Sequence, residues 1–166
     1  MNKKYFLELA DYTIWANGII IKWLNQINDE QWEQVICSSF SSIKQTTLHI
    51  VSAQKIWIDY WKNIPEPAFL SVEFKGTKTD LIEIWDKLSN DLKNFIEIYP
   101  EDKYLQPVTF RWPRGGEGKM EFWQSFTHML NHTTYHRGQL VTLLRQANFT
   151  ALTSTDLATY YHIVKH

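Results

Sequence analysis

Four separated stretches of this chain repeat apolar side chains at the three-to-four-residue spacing of an α-helix, and nothing else limits the fold so strongly. Phe6, Leu9, Ala16, Ile20, Trp23 and Leu24 mark the first stretch, from about Lys3 to Ile27, with Asn28 and Asp29 at its close. Ile43, Leu48, Val51 and Ile58 mark the second, which starts at Ser41 or Ser42 and runs to about Trp61. Ser42 and Gln45 have the spacing of a capping box at its start. Leu81, Ile84, Trp85, Leu88, Leu92 and Phe95 mark the third, beginning near Thr77 or Thr79, and the fourth extends from about Glu121 to Ala147. Each stripe must be buried against another, so the pattern predicts an all-α four-helix bundle. Pro65 and Pro67 halt the second helix, and the segment from Pro65 to Lys78 predicts a long crossover connection between helices two and three. Glu30–Val35 predicts a short helical turn, residues 104–120 a loop or small hairpin, and Ser154–Val164 a short C-terminal helix.

Length and charge narrow the classes of function. A chain of 166 residues is expected to form a single domain over 1–166. The net charge of −1, without a basic run or arm, argues against a nucleic-acid partner. The lone cysteine, Cys37, excludes an internal disulfide and fits a cytoplasmic location. The N-terminal MNKKYFLELADYTIW lacks the continuous apolar run of a secretory signal, and no stretch approaches the roughly 20 apolar residues of a membrane span.

The chemistry is concentrated in FTHMLNHTTYHRGQL, where His128, His132 and His136 lie four residues apart on one helical stripe. Side chains so spaced have Cβ atoms about 5–6 Å apart, so two imidazoles can turn onto one ion at the usual zinc–nitrogen distance of about 2.0–2.1 Å. A third ligand must come from elsewhere, and His49 in the second helix is the candidate. Spacing does not choose between the pairs His128/His132 and His132/His136. Thr133 follows His132 where a zinc protease would carry its glutamate base, which disfavours peptide hydrolysis by that route. Asp11, Asn17 and Gln45 are candidates to orient the histidines. Cys37 lies too far before the second helix to reach them. Gly138 suits a close helix contact, Arg137 and Gln139 suit anchoring of neighbouring segments, and Trp15, Trp57 and Trp61 suit core packing before a pocket.

NHTTYHRGQL at 131–140 resembles the signature of the DinB/YfiT-like superfamily of small metal-binding helical proteins. The resemblance covers nearly the whole chain. ADYTIWAN at 10–17 resembles the family's first-helix pattern, SSFSSIKQTTLHIVSAQKIW at 38–57 its Ser-rich entry and single second-helix histidine, and TALTSTDLATYY at 150–161 its Asp-containing tail. The resemblance implies a metal site of His49, His132 and His136, with His128 left to a supporting or core role. It also implies an open coordination position, zinc or alternatively nickel as the ion, and a homodimer.

Two activities occur among such proteins: transfer of a low-molecular-weight thiol such as bacillithiol or mycothiol, and metal-dependent hydrolysis. A divalent ion lowers the pKa of bound water to about 7 and equally acidifies a bound thiol. The absence of a glutamate base beside His132 favours the thiol. The expectation is therefore a metal-dependent thiol S-transferase acting on small electrophiles. A hydrolase or a non-enzymatic, stress-induced metal- or ligand-binding protein are the alternatives.

Overall fold

A computed structural model describes residues 2–113 and 115–165. Its helices are α1 (Lys3–Leu24), α2 (Asp29–Glu33), α3 (Ile43–Trp61), α4 (Leu70–Glu73), α5 (Lys78–Ile98), α6 (Phe122–Gln146) and α7 (Leu157–Val164), with a turn of 3-10 helix at Glu101–Lys103. The strands β1 (Pro107–Arg111) and β2 (Glu117–Glu121) pair antiparallel, with Phe110 opposite Gly118. The four long helices are the four predicted stripes, and the small hairpin lies within the region left open between loop and hairpin. Among the described residues, no helix is long and apolar enough to cross a membrane.

The helix ends follow local hydrogen bonding. α1 stops at Leu24, short of the predicted Ile27, because Asn28 is recruited to start the next helix. Asn28 Oδ1 accepts from Gln31 N at 2.8 Å, and Gln31 Oε1 accepts from Asn28 N at 3.1 Å, a reciprocal cap for α2. Ile27 still enters the core from the loop, at 3% exposure. At α3, Ser42 Oγ accepts from Gln45 N at 3.1 Å, but the side chain of Gln45 is exposed and makes only half of the predicted box. Thr77 and Asp80 form a complete capping box for α5.

The chief packing partners are α1 with α5 and α3 with α6, and α3 also lies against α5. The bundle therefore departs from simple up-and-down order. The long connection from α3 to α5 carries α4 back onto α3, where Ser71 N donates to Ser52 Oγ at 3.0 Å. The helix α7 closes the first helix's flank, with Tyr160 packed edge-on against Tyr12 at 5.7 Å.

Between the helices the apolar core forms two large clusters, beside a small one of Tyr12, Ala16 and Tyr160. One gathers Ile20, Trp23, Ile43, Ile50, Trp85 and Leu140, and the other gathers Phe6, Trp61, Phe95, Phe122 and Phe126. A buried polar layer separates them. Asn17 Nδ2 donates to Gln54 Oε1 at 3.2 Å and to Ser89 Oγ at 3.0 Å, while its Oδ1 accepts from Arg137 Nη1 at 3.1 Å. Arg137 Nη2 donates to Tyr12 Oη at 3.0 Å and to Thr134 Oγ1 at 2.9 Å. One asparagine thus links all four long helices. Arg137 is only 2% exposed, and its partners are hydroxyl and amide oxygens of α1 and α6. The interior position and these bonds give it the anchoring role, not an anion-holding one.

Breaking such a network leaves several buried groups unpaired, which costs more than the net worth of one hydrogen bond. Asn17→Ala is expected to lower stability by about 3 kcal/mol, seen as a fall in melting temperature of roughly 6–12 °C. A variant that melts with the parent would remove the polar layer from the list of stabilising features.

Candidate metal centre

The seam between α3 and α6 places His49 from one helix opposite His132 and His136 from the other. His49 Nε2 lies 3.0 Å from His132 Nε2, and one ring nitrogen from each of the three histidines falls within 4.8 Å of the others. The ring of His136 stands 4.5 Å from each of the other two. Two nitrogens bound tetrahedrally at the zinc distance are about 3.3 Å apart, so the nitrogens already converge at close to the required spacing. Two imidazole lone pairs facing each other at 3.0 Å repel unless a proton or a cation lies between them. The donor set therefore fits a divalent ion, and small side-chain rotations would complete the triangle.

The surroundings of the three rings favour the same use. His136 Nδ1 lies 2.7 Å from Gln139 Oε1, an acceptor, so the proton sits on Nδ1 and the Nε2 lone pair is free. Gln139 is itself held by donation from Nε2 to Ser39 Oγ at 3.1 Å. Phe40 stacks on His49 with centroids 4.3 Å apart and meets the edge of His136 at 5.6 Å. Thus the loop before α3 fixes two of the three rings. His132 Nδ1 is buried with no protein partner. Burial holds His49 and His132 at about 4, with repulsion from His136 adding to it. Burial also lowers His136, partly offset by the Gln139 hydrogen bond. All three rings are consequently neutral at neutral pH, the form a metal requires.

The remaining candidates lie elsewhere. His128 is not core: it is exposed, its ring 5.8 Å from that of His132 and edge-on to Trp57 at 5.3 Å. Asp11 is engaged by Lys93 at 2.8 Å, Asn17 belongs to the polar layer, and Gln45 faces solvent, so none of the three orients a histidine. Gln139 does this instead, besides its anchoring bond to Ser39. It was legible as a residue three positions after His136 on a helix, the spacing at which side chains meet. Nothing in the sequence points to Phe40. Cys37 is an exposed loop thiol outside the cluster. Gly138 makes no close helix contact, since a Cβ there would meet nothing within 4 Å. Trp61 is core and donates to Ser125 Oγ at 2.9 Å, and Trp15 packs on Tyr160. Trp57, however, lines a cavity.

That cavity has a volume of ≈ 440 Å³ and reaches the histidine cluster at His49 and His132. Its walls come from α3, α4, α6 and the β1–β2 hairpin, and no carboxylate is among the described residues lining it. A larger surface groove of ≈ 760 Å³ runs along the other flank of α6, past Leu9, Thr134, Gly138 and Asp156. None of the three clustered histidines borders it, so the chemistry lies with the smaller cavity.

Fold and site together define a helical bundle with a three-histidine cluster at the foot of a cavity. A sequence model of the DinB family matches residues 1–162, and the chain belongs to that family. It is 28% identical to Protein DinB of Bacillus subtilis (strain 168), over 97% of this chain and 96% of the relative. Its fold is similar to the crystal structure of a DinB-like protein from Bacillus cereus ATCC 10987, with a TM-score of 0.66 and 18% identity over 84% of this chain and 90% of that one.

The depressed histidines make stability depend on pH. Below the ordinary value of 6.5 the unfolded chain takes up protons that the folded rings refuse until about 4. Stability is thus complete above pH 6.5 and is lost as pH falls toward 4. The metal-free protein is expected to melt at progressively lower temperature across this window, and a His49→Gln/His132→Gln variant to show a flatter dependence. Parallel curves would contradict the assignment of the acid response to these two rings.

Proposed function

We propose that this protein holds a divalent metal ion on His49, His132 and His136 and transfers a low-molecular-weight thiol to a small electrophile. The observation that carries the reading is the pairing of three neutral nitrogen donors with a cavity whose described lining contains no carboxylate. Zinc suits this donor set, and nickel is the alternative. A divalent ion held there would acidify a thiol or water occupying its open position. Attack by water needs a general base, and no carboxylate is among the described residues of the lining to serve as one. A thiolate needs no further base.

The residues of the chain have separate tasks in this reading. His49, His132 and His136 would hold the ion as neutral ligands and would leave its positive charge undiminished. Gln139 keeps the Nδ1 proton of His136 in place, and Phe40 keeps the ring of His49 from turning away. The cavity receives the electrophile and excludes water from it. In the overall exchange a sulfur–carbon bond forms as the bond from carbon to its leaving group breaks. The leaving group departs with the bonding pair, and the thiol proton goes to solvent.

Metal analysis of untagged protein tests the first half of the proposal. One divalent ion per chain is expected, with binding weakened more than about 100-fold by His49→Ala or His132→Ala, and by about 10–100-fold by Gln139→Ala. Full metal retention in the histidine variants would overturn the site. The second half is tested by following conjugation of 1-chloro-2,4-dinitrobenzene and of bromoacetamide with cysteine, glutathione and bacillithiol. Metal-dependent acceleration with at least one thiol supports transfer. Its absence with all of them, on protein that binds metal, would overturn transfer and leave a binding protein.

A further inference from the structure

The walls of the cavity beside the histidine cluster have a chemistry of their own. Three aromatic side chains dominate them: Trp57 from α3, Phe110 from β1 and Trp112 just beyond it. Their rings pack in series, Trp57 and Phe110 tilted at 5.0 Å and 55°, and Phe110 and Trp112 edge to face at 4.8 Å and 78°. Tyr60 and Phe69 also line the cavity, and His128 adds a further ring, at 69° to Trp57. Phe110 owes its place to Gly118, its cross-strand partner. A Cβ at that position would fall 2.5 Å from the Phe110 ring, so only glycine lets the ring lie across β2.

The polar atoms of the same walls are mostly spent on each other. Tyr60 Oη donates to Arg111 O and accepts from Arg111 N, both at 3.2 Å. Ser52 Oγ accepts from Ser71 N at 3.0 Å and donates to Ser71 Oγ at 3.3 Å. The guanidinium of Arg111, held by the exposed Glu66 at 3.4 Å, brings positive charge to the wall. A sugar or another many-hydroxyl molecule would give up its water here and receive few hydrogen bonds in return. A flat apolar molecule loses nothing of the kind. An aromatic one also gains the offset or edge-to-face contacts that such rings favour, beyond the area buried. The volume of ≈ 440 Å³ falls within the range of small-ligand pockets, about 300–1,000 Å³.

We infer that the electrophile accepted by this site is an aromatic molecule of one or two rings, gripped between Trp57, Phe110 and Trp112 with its reactive carbon directed toward His49 and His132. The inference rests on the thiol-transfer reading for the word electrophile, but the aromatic grip is independent of turnover. Its test therefore uses unreactive probes: 2-naphthol and its saturated counterpart decahydro-2-naphthol, which share a skeleton and a hydroxyl but differ in flatness. Both are titrated calorimetrically into the metal-loaded protein and into the metal-free protein.

2-Naphthol is expected to saturate one site and to bind about tenfold tighter than the decahydro compound, with or without metal. Ala53→Trp, which fills the cavity from α3, should abolish binding of both probes while the protein still takes up its metal. Trp112→Ala, at a side chain 50% exposed and hence dispensable to the fold, should weaken 2-naphthol several-fold and narrow the gap between the probes. Equal affinity for the two probes, no saturable binding of either, or binding that survives Ala53→Trp would overturn the inference. A protein that binds 2-naphthol but loses no metal on His49→Ala would instead overturn the metal assignment and leave the aromatic site standing.

Discussion

The amide of Asn17 is the point at which the four long helices are tied together. It sits where the two apolar clusters of the core meet, and through Gln54, Ser89 and Arg137 it reaches α3, α5 and α6. Apolar stripes alone permit a helix to slide or rotate with little loss, because one methyl group substitutes for another. Directional hydrogen bonds in a low-dielectric interior do not permit this. The consequence for α6 is specific. Arg137 is drawn toward Tyr12 and Asn17 of α1, and successive residues on a helix are turned by about 100°. His136 is thereby rotated away from α1 toward α3, with His132 one turn before it on the same side. The layer that holds the bundle together also aims the histidines.

Charge is unusually one-sided in this part of the molecule. Arg137 is buried among hydroxyl and amide oxygens, and the three clustered histidines are neutral. A filled site would thus add a doubly positive ion with no carboxylate among the described residues of the cavity lining to balance it. Ligands that bring negative charge are favoured in such surroundings over neutral ones. Many metal sites temper their ion with one or two carboxylate ligands; an all-imidazole set leaves the ion as electrophilic as the protein can make it.

Much of this was legible from the residues, and the exceptions share a cause. The long helices follow from apolar spacing because that spacing reflects burial, and burial is what the bundle is made of. The histidines of α6 were visible as a stripe. The choice of His132 and His136 over His128 came from the resemblance of NHTTYHRGQL to a family signature, and the structure brings those two beside His49. Phe40 and the hairpin aromatics are not legible because their roles depend on contacts across distant segments, whereas Gln139 meets His136 three residues away on one helix. Phe40 meets His49 across a helix start, and Phe110 meets Trp57 from a strand far along the chain. Asn28 shows the local version of the same difficulty: an asparagine can end one helix or begin the next, and only the reply from Gln31 decides which.

The two strands of the hairpin carry none of the three clustered histidines, whereas α6 carries two of them and adds the ring of His128 to the cavity wall. The helix α3 carries both His49 of the cluster and Trp57 of the cavity wall, whereas the hairpin shapes the wall alone. Phe110 packs on Trp57 of the core and across Gly118 of β2, while the clustered imidazoles lie on α3 and α6, so exchanges along β1 and β2 can reshape the chamber without replacing a clustered histidine. A lineage of such proteins could diversify what it accepts by drift in one short hairpin, keeping a constant inorganic centre. The short sheet in an otherwise helical protein is then its most adaptable part, and sequence differences between relatives should be most informative there.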